Sequence, residues 1–214
     1  MEDLGFVDLV CLIGVIPLIL YLINKKVTVE TNYILPFIFL MAFASLYEII
    51  GTTFFQLRTI YWFRAYVFLE FYAVLYFYYK LLNYKKVFIV YGVLYFLVYL
   101  YLLVNWPNNK KGFNDLPLNV MVTLLVVFGS FLWFIDVFKK LEDKPLLKRI
   151  DFFYISSFLI YFCGTFLVFL MTDYLLNDAK YKIEEFWTLI IFFNLVLRIT
   201  LIFTVWKARI KLEH

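Results

Sequence analysis

Histidine is all but missing from this chain. The single one, His214, is the last of 214 residues. The ending Leu212-Glu213-His214 reads as an expression-tag remnant, so residues 212–214 are set aside and the body of the chain, 1–211, contains no imidazole. That absence excludes bis-histidine haem ligation, serine–histidine and cysteine–histidine catalysis, zinc sites of the His-Glu-x-x-His kind and histidine-based pH sensing. No cofactor and no metal is expected. Cysteine is scarce as well. Cys11 and Cys163 both lie in apolar runs, which argues against a disulfide framework. The seven glycines form no Gly-x-x-x-Gly pair. Gly14 and Pro17 interrupt the first apolar run without a matching interruption later, whereas broken-helix transporters repeat such breaks in corresponding halves. The net charge of +4 comes with no basic stripe or arm, so nucleic acid is not an expected partner.

What is present is apolar and aromatic. The chain is 65% hydrophobic and 23% aromatic, with a mean hydropathy of +0.87. A soluble domain of this size could not hide so much apolar surface, so the expected solvent is lipid. Seven runs have the length of a membrane span, at about 4–23, 33–55, 61–79, 87–105, 118–138, 152–171 and 186–206. They are continuous rather than alternating, which predicts helices and not a barrel. Together they account for nearly all of the chain, and a single all-α domain is expected: a bundle of seven transmembrane helices with no separate soluble domain.

Orientation follows from the basic residues between the runs. Acidic Glu2 and Asp3 precede the first run and Lys25-Lys26 follow it, the reverse of a secretory signal. With the N-terminus outside and the C-terminus cytoplasmic, inner loops hold thirteen Lys and Arg residues and outer loops six. The expected location is the bacterial inner membrane, crossed several times. Trp62, Trp106 and Trp187 then fall at the outer interface and Trp206 at the inner one.

Charges inside such runs are costly, about 2.5–3.5 kcal/mol each on the mildest scale, and persist where they face protein or water and find partners. Glu48, Glu70 and Arg198 are three of them. At about 1.5 Å per residue, Glu70 and Arg198 lie ~14 and ~18 Å below the outer ends of their runs, close enough in depth for Glu70 or Glu48 to pair with Arg198. Helical spacing adds neighbours. Ser45, Glu48 and Thr52 share a face of the second run at i, i+3 and i+7; Tyr66, Glu70 and Ala73 share one of the third; Asn194 and Arg198 are i, i+4 on the seventh. Ser157, Tyr161 and Gly164 line one face of the sixth, and Tyr91, Tyr95 and Tyr99 form a stripe on the fourth.

These faces suit an outward-facing polar and aromatic cavity within the membrane, binding a small or lipid-like ligand for transport or sensing. The candidate ligand-binding residues are Glu48, Glu70, Arg198, Asn194, Tyr66, Ser45, Thr52, Tyr91 and Tyr95. Two other readings stand beside it. One is an intramembrane enzyme using Glu48 or Glu70 as general acid or base on a lipid-like substrate, although no nucleophile elbow or paired-Asp motif accompanies them. The other is a structural or accessory subunit of a membrane complex, its polar residues serving as glue between helices.

Seven spans with an outside N-terminus suggest microbial rhodopsins, but the seventh span has no lysine for a retinal Schiff base. The third span, with Tyr61-Trp62, Glu70-Phe71 and Tyr76-Phe77, resembles that of a group of uncharacterised small seven-span bacterial membrane proteins. The resemblance covers mostly residues 44–82. It implies the same architecture and brings no activity with it.

Overall fold

The computed structural model describes residues 3–24, 27–55, 59–105, 116–140, 145–177 and 183–210. Seven long helices and no strand occur among them: α1 Asp3–Ile23, α2 Val29–Leu46, α3 Thr59–Leu81, α4 Lys85–Val104, α5 Leu116–Lys140, α6 Ile150–Asn177 and α7 Ile183–Ile210. A π-helical segment, Tyr47–Phe54, prolongs α2, and a 3-10 turn, Leu146–Lys148, leads into α6. The expected Trp106 and the side chains of Thr52 and Trp187 lie outside the described residues.

Five stretches are long and apolar enough to cross a membrane: Val29–Gly51, Lys85–Val104, Leu116–Lys139, Ile150–Leu170 and Thr188–Arg209. This is what a helical membrane protein requires. In α1 the apolar stretch is shorter, Val7–Ile23. Arg64, Glu70 and a succession of tyrosines make α3 the least apolar of the expected spans.

The packing explains how α3 is accommodated. In the bundle α1 touches both α2 and α7, α2 touches α3, α3 touches α5, α5 touches α6 and α6 lies along α7, so the helices close on themselves; α4 rests outside, against α3 and α5. Phe71, Val74, Phe77 and Tyr78 of α3 are fully buried, and its tyrosines find polar partners on neighbours. Tyr78 and Ser130 hydroxyls are 2.9 Å apart, and Tyr72 donates to the Gly92 carbonyl at 2.9 Å. A helix with this many phenols is better placed among helices that offer acceptors than against hydrocarbon that offers none. By contrast α4 turns Val87, Val90, Val93, Leu94, Leu97 and Val104 outward.

The core between α2, α3 and α6 is aromatic. Phe37 and Phe77 meet Phe158 edge-on at 4.9 and 5.4 Å between ring centres, the geometry that ring quadrupoles favour. The longest helix contact, α6 on α7, depends on Gly164: a Cβ there would overlap the Phe193 ring.

Candidate functional site

The polar residues expected from the sequence fall into two places. The first is a cluster built by α1, the end of α2, α3, α6 and α7. Glu70 is buried on α3, only 6% exposed. Its carboxylate accepts a hydrogen bond from Tyr66, one helical turn earlier, at 3.1 Å. Tyr161 of α6 is within hydrogen-bonding reach of both Glu70 and Asn194 of α7. The carboxylate is thus held by two phenols, and the chain of contacts runs from α3 through α6 to α7. Tyr66 also touches Trp62, whose indole stacks on Tyr47 at 4.7 Å.

Arg198, one turn beyond Asn194, is equally buried at 6%. Its guanidinium is seated on α1. Nη1 donates to the Val10 carbonyl, whose second lone pair is available even within a helix. Gly14 makes the seat possible: a Cβ there would lie 3.0 Å from Cζ of Arg198 and would overlap the Ser45 hydroxyl. Cys11, on the same turn of α1, donates its thiol to Oε2 of Glu48 at 3.4 Å and is also within reach of Arg198.

The expected pairing of Glu70 or Glu48 with Arg198 is therefore replaced by another arrangement. Among the described residues no carboxylate forms an ion pair with Arg198. The α1 notch draws the guanidinium toward the Val10 carbonyl, the phenols occupy Glu70, and the Cys11 thiol stands between Glu48 and Arg198. The π-helical winding from Tyr47 also separates Glu48 from Ser45. Ser45 is fully buried against α1, whereas Glu48 is exposed on the flank. Both still meet α1, Ser45 at Gly14 and Glu48 at Cys11.

The second place is the seam between α4 and its neighbours. Tyr91 donates to the Met121 carbonyl at 2.8 Å, Tyr95 to Val67 at 3.1 Å and Tyr99 to Arg64 at 3.3 Å. Tyr95 also stacks on Phe71, ring centres 3.5 Å apart. The stripe is the face by which α4 is attached to α3 and α5. The hydroxyls of Tyr91 and Tyr95 donate to backbone carbonyls of α5 and α3, and both rings pack on Phe71.

Tyr161, Cys11, Gly14 and the Val10 carbonyl were not among the candidates. Tyr161 was legible as part of a polar face on the sixth run. Gly14 carried a signal too, but its proximity to Pro17 suggested a kink and not a seat for a distant arginine. Among the described residues no group of His, Cys, Asp and Glu side chains is disposed to hold a metal ion. The cluster offers a hydrogen-bonded carboxylate, a guanidinium, phenols and a thiol in a space shared by five helical segments. No family model, curated protein or solved structure matches the chain.

Proposed function

We propose that the chain crosses a bacterial cell membrane seven times, N-terminus outside, and binds a small or lipid-like ligand at the Glu70–Arg198 cluster as part of a transporter or sensor. The excess of Lys and Arg in alternate loops supports the orientation, and the likeness of the third span to small bacterial seven-span proteins supports the setting. This orientation puts the cluster in the outer half of the bundle.

One observation carries the functional reading. A buried acid and a buried base share a cluster, yet each is held by neutral groups and not by the other. Where polar residues serve only to fasten helices, the least costly solution for two opposite charges is to neutralise each other. Kept apart, both remain available for a ligand to address.

The test is to purify the protein and its Glu70→Gln variant in mild detergent and identify co-purifying lipids and small molecules by mass spectrometry. The wild type is expected to retain a species that the variant loses while remaining folded. Equal retention by both would remove Glu70 from any binding role and overturn the reading.

A further inference from the structure

Two buried polar atoms at the Arg198 seat have no hydrogen-bond partner among the described residues: the Ser45 hydroxyl and Nε of Arg198. Both lie against Gly14 of α1: a Cβ there would overlap the Ser45 oxygen and lie 3.1 Å from Nε. Only because residue 14 has no side chain can the two groups pack side by side on that helix. Leaving such donors unmade in a buried setting costs the full desolvation of each group. A guanidinium can only donate, and a serine hydroxyl can rotate to donate beside it. The group that satisfies both is therefore an oxygen acceptor, and an anionic oxygen also meets the arginine charge.

Among the described residues no carboxylate supplies that oxygen. Glu70 is taken by Tyr66 and Tyr161. Glu48 accepts the Cys11 thiol and forms no ion pair with Arg198. Val10 supplies one carbonyl, and Nη1 uses it.

Resting on the ligand-binding reading of the same cluster, we propose that Arg198 and Ser45 form an oxyanion-binding pair that takes one oxygen of a carboxylate or phosphate. The ligand is an anion or carries an anionic group, whether as a lipid headgroup or as a soluble ion. Glu70 and its phenols, on the other side of the cluster, would face the remainder of the molecule.

The experiment measures thermal unfolding of the full chain in phosphatidylcholine nanodiscs. One arm adds sodium acetate or sodium phosphate. A second replaces part of the lipid with phosphatidylglycerol, a third with phosphatidic acid. An anion that binds the folded state raises the unfolding midpoint, the stabilisation growing with the logarithm of its concentration above Kd. The wild type is expected to respond in at least one arm, and the responding arm identifies the source. Ser45→Ala and Arg198→Lys are expected to need about tenfold more anion for the same shift, since each removes a donor to a charged acceptor. Arg198→Lys keeps the charge but not the Nε donor. If that variant fails to fold, Ser45→Ala decides alone. Tyr84→Phe, which alters only a hydroxyl bonded to Asp136 away from the cluster, is expected to respond like the wild type. A wild-type midpoint that no arm moves, or a response equal in all four proteins, would overturn the oxyanion pair. Retention of a neutral ligand in the mass-spectrometric test would survive that result, so the two readings fail separately.

Discussion

Two charged clusters in this bundle use similar residues and resolve them differently. At the junction of α5 and α6, Asp151 accepts from Arg149 through both carboxylate oxygens, at 3.2 and 2.9 Å, and from the Trp133 indole at 2.9 Å. Arg149 also lies over the Trp133 ring, 5.4 Å from its centre. Acid and base neutralise each other, and the indole completes the set. In the Glu70–Arg198 cluster the same chemistry is available, but acid and base have been given to different helices and different partners. The first cluster is what a structural joint looks like when electrostatics alone decides it. Set beside it, the second keeps acid and base apart: among the described residues no carboxylate pairs with Arg198.

The comparison can be broken by measuring what each acid contributes to stability. Asp151→Ala is expected to have the largest effect. It removes the Asp151 carboxylate from the Arg149 guanidinium and the Trp133 N–H, at a cost of about 3 kcal/mol in reversible unfolding from detergent. Glu70→Gln is expected to cost less than about 1 kcal/mol, because the amide oxygen still accepts from the phenols and bonds between helices in membranes are individually weak. Equal losses would mean that both clusters are structural joints. The smallest effect concerns a neighbour of the first cluster. Tyr84, just ahead of α4, donates to Asp136 at 3.1 Å. That hydrogen bond and the carboxylate charge raise its phenol above the ordinary tyrosine range. The folded protein thus keeps a proton that the unfolded chain releases near pH 10, so the contribution is whole below about pH 10 and is lost as pH rises through the higher folded value. Tyr84→Phe should flatten the loss of stability in that alkaline window. An unchanged alkaline limb would show that Tyr84 does not contribute to it.

Much of the helix layout was readable from apolar run length. The expected run at 87–105 is the helix Lys85–Val104, and that at 118–138 is Leu116–Lys140. Burial of Glu70 and Arg198 followed from their position inside such runs, and the adjacency of Tyr66 and Asn194 from helical spacing. Partner choice was not readable. Arg198 is seated by a backbone carbonyl and an empty side-chain position on a helix nearly the whole chain away, and neither appears in a pattern of residue types. The π-helical winding was hidden for a related reason. The segment Tyr47–Phe54 has no proline; Gly51, Thr52 and Thr53 weaken an α-helix there, but residue types alone do not specify a wider winding. The tyrosine stripe of α4 illustrates the opposite difficulty: its periodicity was plain, but periodicity alone does not distinguish a face that anchors a helix from one that lines a site.

The π-helical segment also gives the chain slack. Each i→i+5 turn holds one residue more than an α-turn needs. Rewinding such a turn would pass the surplus along toward Phe55 and swing Glu48 around the helix axis, altering its approach to Cys11 without moving α2 below Leu46. A change of pitch in these eight residues would therefore couple the position of the Glu48 carboxylate to that of the Tyr47 ring stacked on Trp62.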